Sequence, residues 1–400
     1  MAHVHGSTGS VDEHIARVEK MITTSWSRRT PETVSLRDAA GRVTLDDVRA
    51  RIDVPNFRNS QMDGYAVDAA SIEQVPTTLP VTGTTAAGDS TPGPHTAGTA
   101  RKIMTGAPVP DGADAVVPVE DTEPSEDGVR ILARRRRGEF VREQGSDITT
   151  GTVVVGHGTR LEARHLGALT AVGWAEAVVR PRVRVAVIAT GAELVDAGSA
   201  LAPGQLYDSN GLTLAAYAAS DGAELTFRGR STDTAEEFDA MLGEAAATSD
   251  VIFTSGGVSM GDFEVVRDVL GPRGGTFTHV AMQPGGPQGW TDLDGTPVIS
   301  FPGNPVSTVV SYLVFARPVL RRLAGLPECS ATERLAESDI RSIPGRRQFL
   351  RGRLTDKGVS LTSGPGSHLV ASMAAADVLI DVPEDTVEIA AGAGVRVWPL

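Results

Sequence analysis

Cysteine is almost absent from this chain of 400 residues, which contains only Cys329. One thiol excludes an internal disulfide framework and any zinc site built from several thiolates. Aromatic residues make up only 4% of the chain and the formal net charge is -13. A general nucleic-acid binder normally presents a basic face and stacking side chains. We therefore expect a protein of the reducing cytoplasm that has no nucleic-acid partner.

Long hydrophobic runs are also missing, since no stretch of eighteen apolar residues occurs. The first ten residues, MAHVHGSTGS, lack the basic and apolar regions of a signal peptide. These observations predict a protein that is neither exported nor membrane-spanning. A chain of 400 residues is too long for one ordinary core, so we expect two to four domains.

The predicted secondary structure changes twice within the first 180 residues. Ser10 with Glu13 forms a capping box before apolar residues at helical spacing, which predicts an amphipathic helix from about residue 11 to the region of Trp26. Residues 53–147 contain short β-like runs separated by Gly, Pro, Thr and Asp, which predict a small β-rich domain. Residues 151–180 then return to a strand and a helix, for which Thr159 with Glu162 predicts the N-terminal cap. Packed beside the first helix, they would make the β-rich domain an insertion.

The remainder of the chain divides into two regions. Residues 183–325 alternate apolar strands with longer helical patterns, as in a doubly wound α/β domain with a mostly parallel sheet. Ligands of such domains bind beyond the carboxyl ends of the strands. From about residue 331 the helical patterns cease, and alternating runs predict a last small β domain.

Three turns of the α/β region contain glycine and hydroxyl side chains where a strand ends. Glycine permits close backbone approach, and free N–H groups at a helix start favour an anion. Any one turn has a purely structural explanation as well. Three turns at one sheet edge favour a phosphate or nucleotide pocket. The turns are ATGAEL at 189–194, TSGGVSMGD at 254–262 and FPGNPVST at 301–308.

Acidic residues stand close to these turns at Glu193, Asp208, Asp262 and Glu264. For Asp208 and Asp262, helix capping explains each residue as well as catalysis does. Beside a phosphate site, the carboxylates would suit Mg²⁺, a hard ion that takes carboxylate and substrate oxygens. The eight histidines show no zinc-ligand spacing, and no G-x-S-x-G elbow of a serine hydrolase is present.

A dense polar block, NFRNSQMDGYAV at 56–67, lies at the entrance to the β-rich region. A hairpin turn is the simpler explanation of such a block. The block, however, contains more hydrogen-bonding side chains than a two-residue turn requires. We therefore regard it as a candidate functional segment.

Eight motifs spread over most of the chain carry a specific resemblance to a known family. They are NSQMDGYAV, IMTGAPVPDGADAVVPVE, REQGSDI, TGAEL, YDSNG, SGGVSMGD, FPGNPVS and GRRQFLRG. In this order they resemble molybdopterin molybdenumtransferase, the MoeA family that includes the E domain of gephyrin.

The resemblance implies an α/β plus β multidomain fold. Its parts would be a connecting domain, a β-rich inserted domain, a doubly wound MogA-like α/β domain that binds molybdopterin and a C-terminal β-barrel. The family acts as a homodimer, with its active site between the α/β domain of one subunit and the β-rich domain of the other. The implied boundaries are 11–52 with 148–181 for the elongated connecting domain, 53–147, 182–328 and 329–400.

The implied reaction joins molybdate to the dithiolene of adenylylated molybdopterin and releases AMP, with Mg²⁺ as cofactor. The substrate, rather than the protein, would then supply the sulfur ligands of the metal. Molybdopterin adenylyltransferase and molybdoenzymes would be possible partners for handover. Two alternatives stay open. They are adenylylation of molybdopterin and a non-catalytic pterin-binding or scaffold role.

The resemblance also transfers roles to individual residues. Asp63 matches the family's essential acid, and Glu264 replaces the usual aspartate after SGGVS with a longer side chain. Asp63, Glu264 and Asp262 are the implied metal contacts. The implied catalytic residues are Asp63, Thr105, Asp147, Glu193 and Glu264. The implied substrate-binding residues are Arg142, Asp208, Ser255, Gly256, Gly257, Ser259, Gln283, Pro302, Gly303, Asn304, Arg346, Arg351 and Ser367.

One segment departs from the family pattern. Many members have two lysines in a KPGKP segment proposed to meet molybdate, whereas this chain has Gln283 and Gly286 in MQPGGPQG. Two positive charges are therefore missing near a dianionic ligand. Either Gln283, the turn amides and arginines compensate, or this chain has lost insertion and kept binding.

Overall fold

The computed structural model describes residues 9–89, 92–259 and 264–400. The chain forms two compact units. The first unit consists of Met1–Glu32 and Arg180–Leu400, and the second consists of Thr33–Val179. Among the helices of the described residues, none combines the length and apolar character that a bilayer crossing requires.

Helices occur in both units, and most belong to the first. The α-helices in the described ranges are α1 Val11–Trp26, α2 Ala163–Ala171, α3 Asn210–Ser220, α4 Ala235–Thr248, α5 Val265–Leu270, α6 Pro305–Ser311, α7 Arg317–Leu323 and α8 Val370–Ala374. A π-helical segment, Tyr312–Ala316, joins α6 to α7.

Strands are short in the second unit and longer in the first. Those that begin within the second unit, or extend into it, are β1 Glu32–Ser35, β2 Val48–Arg49, β3 Asn59–Ser60, β4 Gly64–Val67, β5 Thr77–Leu79, β6 Val81–Thr85, β7 Ala100–Ile103, β8 Ala115–Pro118, β9 Thr122–Ser125, β10 Gly128–Ile131, β11 Val141–Arg142, β12 Val153–Val155 and β13 Glu176–Val179. Those of the first unit are β14 Arg184–Thr190, β15 Leu194–Val195, β16 Leu206–Tyr207, β17 Glu224–Ser231, β18 Val251–Ser255, β19 Thr276–His279, β20 Met282–Gln283, β21 Pro287–Leu293, β22 Thr296–Phe301, β23 Thr332–Leu335, β24 Ile340–Arg341, β25 Arg347–Thr355, β26 Gly358–Leu361, β27 Val378–Val382, β28 Glu388–Ile389 and β29 Gly394–Pro399.

The second unit is rich in β-structure, as the sequence predicts. A four-stranded sheet has the order β6-β7-β4-β8, and a three-stranded sheet has the order β5-β10-β9. The polar block at 56–67 is not a hairpin, because β3 pairs with β11 whereas β4 pairs with β7 and β8. The block therefore links two separate sheets.

The segments that flank the β-rich region come together within this unit. Strand β2 pairs with β12, and β1 pairs with β13. Helix α2 follows β12, but its cap differs from the sequence prediction. Glu162, rather than Thr159, is the N-cap residue, and His165 completes the reciprocal capping contact.

The first unit is built on a six-stranded sheet of order β17-β14-β18-β22-β21-β19. The first four strands are parallel, β21 is antiparallel to β22, and β19 is antiparallel to β21, which confirms the prediction of a mostly parallel α/β sheet. The strands β14, β18 and β22 carry nearly continuous buried runs. Such runs are expected where helices cover both faces of a parallel sheet.

Helix α1 begins at the predicted capping box, in which Ser10 and Glu13 exchange backbone and side-chain contacts. Its apolar residues Val11, Val18 and Ile22 lie in the largest core of the first unit. The helix thus packs in a different unit from residues 151–179, with which the sequence analysis grouped it. The four domain boundaries remain predictions.

The C-terminal region forms a second sheet of order β20-β25-β27-β29-β23, with β26 paired to β25. Its core consists of Val, Leu, Ile and Ala side chains that alternate along the strands. Strand β20, which contains Met282, pairs with β25 and so connects this sheet to the α/β region. The short helix α8 interrupts a region where the sequence predicts only strands.

Candidate functional site

The three glycine turns meet at the carboxyl ends of adjacent strands. Strand β18 lies between β14 and β22, and all three are parallel. The Gly256 amide donates to the carbonyl of Phe301 at 3.1 Å, and the Thr190 hydroxyl donates to the carbonyl of Ser255 at 3.4 Å. The predicted clustering of these turns is therefore confirmed for the described residues.

Gly256 lies at a point of close backbone approach on this edge. Its φ is +97°, and a Cβ there would lie 2.6 Å from the carbonyl oxygen of Thr190. A Cβ at Gly303 would approach the Cα of Gly256 to 3.3 Å. Glycine at 256 is thus required by both backbone conformation and close approach.

A hydrogen-bond network that the site predictions missed fixes two of the turns. The Asn210 amide nitrogen donates to the Ser255 hydroxyl at 2.9 Å and to the carbonyl of Gly303 at 2.7 Å. Thr308 lies 3.1 Å from the Ser255 hydroxyl and donates to the carbonyl of Pro302 at 2.6 Å. Asn210 belongs to the YDSNG motif, but nothing in that motif indicates which turns its amide bridges.

Asp208 has a capping role in the structure. It is buried, it accepts from the amide of Gly211 at 2.8 Å at the start of α3, and Arg228 lies 3.7 Å away. Its carboxylate is therefore already paired on two sides. The capping contacts explain why Asp208 is buried without any ligand. The predicted role of Asp208 in substrate binding stays a prediction.

The other predicted groups of this edge are more exposed. Glu193 and Ser259 are exposed, Glu264 is half-buried at the start of α5, and Gly257 has a φ of +67°. Asp262 lies outside the described residues.

A cavity of about 400 Å³ brings four predicted binding residues together on the first unit. Gln283, Asn304, Arg346 and Ser367 line it, and Gly286 forms part of its wall. The Oε1 atom of Gln283 accepts from the side chain of Gln348, which leaves the amide N–H groups of Gln283 as donors. No acidic residue is among the described residues that line the cavity.

Arg351 is buried in the C-terminal sheet, with 1% of its surface exposed. Its guanidinium donates to the Ser363 hydroxyl at 3.1 Å and to the carbonyl of Gly364. Its Nη1 atom has no hydrogen-bond partner in the described part of the chain. Burial lowers the pKa of Arg351. An arginine buried without a carboxylate suits contact with an added anion.

On the second unit, the structure brings Asp63 and Thr105 together. Oδ1 of Asp63 accepts from the backbone amide of Thr105 at 2.6 Å and from its hydroxyl at 2.9 Å. These two hydrogen bonds lower the pKa of Asp63, the backbone bond having the larger effect. Both residues are exposed, so the ionised carboxylate is accessible to a ligand.

Arg142 lies on β11 opposite Asn59, and its Nη1 is 3.4 Å from the Asn59 side-chain oxygen. The backbone of Ser60, on the same strand β3, bonds to Gly106 and Ala107 of the turn that follows Thr105. Strand β3 therefore links Arg142 to that turn. Asp147 is exposed, and its backbone amide bonds to the carbonyl of Val54.

The described residues contain no group of three or more His, Cys, Asp or Glu side chains arranged to hold a metal ion. A magnesium site built from protein ligands alone is therefore not present in those ranges. Mg²⁺ commonly binds through one or two carboxylates together with substrate phosphates. The free Oδ2 side of the exposed Asp63 carboxylate fits a contact of that limited kind.

Three family models match successive parts of the chain. Residues 9–173 match the MoeA N-terminal region (domain I and II), and residues 334–400 match the MoeA C-terminal region (domain IV). Residues 186–322 match a probable molybdopterin binding domain.

Whole-chain relatives agree with these matches. The chain is 43% identical to molybdopterin molybdenumtransferase 2 of Mycobacterium tuberculosis, with 98% of this chain and 99% of the relative covered. It is 32% identical to molybdopterin molybdenumtransferase of Haemophilus influenzae, with 92% and 93% covered. Among solved structures, the MoeA protein of Pyrococcus horikoshii has a TM-score of 0.82 at 30% identity, with 98% and 99% covered. The chain therefore belongs to the MoeA family of molybdopterin molybdenumtransferases.

Proposed function

We propose that this protein inserts molybdate into adenylylated molybdopterin and releases AMP during molybdenum cofactor biosynthesis. The cavity at Gln283, Asn304, Arg346 and Ser367 carries this proposal, because it collects predicted binding residues and has no acid among its described lining residues. Such a cavity favours a dianion in a protein whose net charge is -13. The family matches over nearly the whole chain supply the chemical class of the reaction.

The glycine turns would hold the nucleotide-bearing pterin. Gly256 allows the backbone to approach a ligand closely, and Asn210 keeps the turns at Ser255 and Gly303 in one arrangement. Rigid positioning of this kind lowers the entropic cost of bringing two reactants together. The turns would therefore bind and orient the pterin rather than take part in bond making.

Asp63 would act as a charged group near the reacting pyrophosphate, and Thr105 would fix its orientation. Magnesium, when bound by Asp63 and substrate oxygens, would offset negative charge on the phosphates. Arg142 would contact an anion on the same unit. Glu193, Glu264 and Asp147 are proposed as further polar contacts, and Asp262 as a further metal contact.

The proposed oligomeric assembly also rests on the membership of this chain in the family. We infer a homodimer in which an α/β region of one subunit and a β-rich region of the other complete each site. The C-terminal sheet would close into the barrel of the family, and the protein would act in the cytoplasm. Handover to molybdopterin adenylyltransferase and to molybdoenzymes belongs to the same proposal.

Reconstitution tests the function directly. Purified protein is mixed with adenylylated molybdopterin, Mg²⁺ and a range of molybdate concentrations, and AMP and pterin-bound molybdenum are measured together. We expect both products to increase with molybdate. Tight pterin binding without either product, at any molybdate concentration, would contradict the transferase and favour a scaffold. AMP incorporation from ATP into molybdopterin would favour the adenylyltransferase.

A further inference from the structure

Another cavity, of about 460 Å³, lies within the first unit between α1, α7 and the C-terminal sheet. Its described lining residues are entirely different from those of the cavity at Gln283. Its volume falls in the range of about 300–1,000 Å³ that is typical of small-molecule sites. We call it the α7–β29 cavity, after the two elements that supply most of its arginines.

The floor of the α7–β29 cavity is apolar. Leu313 of the π-helical segment, Phe349 of β25 and Leu379 of β27 line it and are buried in the largest core of the first unit. The Trp398 ring also lines it, and its indole N–H donates to Asp381 at 2.9 Å. Because the indole has no second donor, the rest of the ring is apolar surface. A ligand that covers this floor must therefore have an apolar body.

Guanidinium groups dominate the charge of the lining. Glu328 is the one acid among the described lining residues. The arginines that line the cavity are Arg317, Arg321, Arg322, Arg347 and Arg396. The carboxylates that pair with them lie outside the lining, at Asp12, Glu19, Asp221 and Asp381. A ligand in the cavity therefore faces the arginine side of these ion pairs.

Arg396 keeps free hydrogen-bond donors beside the apolar floor. Asp381 accepts two hydrogen bonds from Arg347 at 2.7 Å, whereas Arg396 approaches the same carboxylate only to 3.8 Å, through Nε. The guanidinium carbon of Arg396 lies 4.8 Å from the centre of the Trp398 ring. Its side chain is 57% exposed, and its two Nη groups have no hydrogen-bond partner among the described residues. Both Nη groups are therefore available to a ligand.

We propose that the α7–β29 cavity binds a small apolar carboxylate. The carboxylate contacts Arg396, and the hydrocarbon body covers the floor at Phe349 and Trp398. The planar fork of an arginine matches the two oxygens of a carboxylate. Beside apolar surface such an ion pair is screened less than it is in open water. The cavity is separate from the groups proposed to hold pterin and molybdate, so this inference goes beyond the proposed reaction.

Cys329 provides a reporter for this cavity, because it lines the cavity and is the only cysteine of the chain. The full-length protein is alkylated with a neutral maleimide in the presence of increasing naphthoate or octanoate. At a free concentration of about ten times Kd, the acid is expected to slow alkylation about tenfold, since only the unliganded protein reacts. Tighter binding of naphthoate assigns the cavity to aromatic carboxylates, and tighter binding of octanoate assigns it to aliphatic ones.

Arg396→Gln tests the charge. In calorimetric titration it should weaken naphthoate binding by about tenfold or more, because a hydrogen-bonded charged partner is lost. Arg396→Lys keeps the charge without the fork and should retain part of the affinity. Naphthalenemethanol, the neutral counterpart of naphthoate, should bind the unaltered protein and Arg396→Gln equally. Arg353→Gln is the matched control, because Arg353 is an exposed arginine of β25 outside the lining, and it should keep the Kd within about twofold.

Ala331→Phe tests the apolar body of the ligand. Ala331 lines the cavity from the segment before β23 and is only half-buried, so the larger side chain can enter the cavity without replacing a core residue. It should abolish binding of both naphthoate and naphthalenemethanol, whereas Ala331→Ser should leave both unchanged. Thermal unfolding of each variant shows whether it is folded.

The inference is overturned if neither acid protects Cys329, if naphthoate and naphthalenemethanol bind equally well, or if Arg396→Gln keeps the affinity of the unaltered protein. Alkylation that slows with rising protein concentration alone would assign the cavity to a contact between two copies of the chain, which would overturn it as well. These measurements require neither pterin nor molybdate. Their failure therefore leaves the proposed transferase unaffected, and a failed reconstitution leaves this inference unaffected.

Discussion

The carboxylate of Asp63 accepts two hydrogen bonds from one residue, Thr105, through its amide at 2.6 Å and its hydroxyl at 2.9 Å. The same unit repeats this geometry at Asp53, whose Oδ1 accepts from the amide and hydroxyl of Thr150 at 2.8 Å each. The geometry by itself is therefore a general way to order an exposed aspartate. The proposed role of Asp63 depends on its place in the NSQMDGYAV motif, and Asp53 provides a natural control.

Asp63→Asn should abolish turnover much more than pterin binding, because it removes charge but little volume. We expect kcat to fall by about 100-fold or more, the usual effect of losing a group that stabilises a transition state. Steady-state kinetics and equilibrium binding of adenylylated molybdopterin measure the two effects. Asp53→Asn should leave both within about twofold. Equal losses of turnover and binding in Asp63→Asn would contradict the assigned role.

Thr105→Val should change the pH dependence of turnover. Both Thr105 hydrogen bonds lower the pKa of Asp63, and valine removes the one from the side chain. The pKa of Asp63 should therefore rise, and the acid limb of the kcat profile should move to higher pH. Thr105→Ser keeps the hydroxyl and should leave the profile in place. An unchanged acid limb in Thr105→Val would mean that another group controls it.

His14 should make stability depend on pH. Its side chain is buried between Trp290 and Phe315, and burial, with a smaller effect of Arg17, lowers its pKa from 6.5 to about 4. The unfolded chain binds the proton first, so this contribution is complete above pH 6.5 and is lost as the pH falls toward 4. The loss amounts to about 3 kcal/mol. Chemical denaturation at pH 7 and 5 should show a smaller difference for His14→Phe than for the unaltered protein.

Asp221→Asn should destabilise the first unit strongly. The carboxylate is fully buried and accepts from the Tyr312 hydroxyl at 2.8 Å and from Arg321 at 3.0 Å, with Arg317 at 3.4 Å. Asparagine would leave two arginines without their anion, a loss of about 3–5 kcal/mol.

The exposed pair Arg273–Asp239 offers the control, because Asp239→Asn should cost at most about 1 kcal/mol. Urea denaturation measures both variants. Similar small losses would show that the buried cluster contributes little net stability.

Gly256→Ala should disturb the glycine turns at the carboxyl ends of the parallel strands. The added Cβ would approach a backbone oxygen to 2.6 Å at a φ of +97°, so we expect a loss of about 1–3 kcal/mol and weaker pterin binding. Gly243→Ala is the control, because Gly243 lies within α4 and open space surrounds the Cβ that alanine would add. That substitution should stabilise the helix by about 1 kcal/mol. Thermal unfolding measures the stability of both variants, and pterin titration measures their affinity. Equal stability and equal affinity of Gly256→Ala and Gly243→Ala would contradict the close approach at Gly256.

Local patterns determined much of this fold because they act over neighbouring residues. The capping box at Ser10 and Glu13 fixed the start of α1, and buried strand runs separated by helical patterns indicated the mostly parallel sheet. The short strands of the second unit followed from their turn residues. The helix cap at Glu162 was mispredicted because Thr159 is also a good capping residue, and only the surrounding chain selects between them.

The motifs likewise identified the glycine turns, Asp63 and Thr105, since each contains residue types needed for one local geometry. Contacts between distant segments could not be predicted from such local motifs. The bridge from Asn210 to Gly303 and the packing of α1 in the first unit join residues that are far apart in the chain. They depend on strand order and register, so only the tertiary structure decided them.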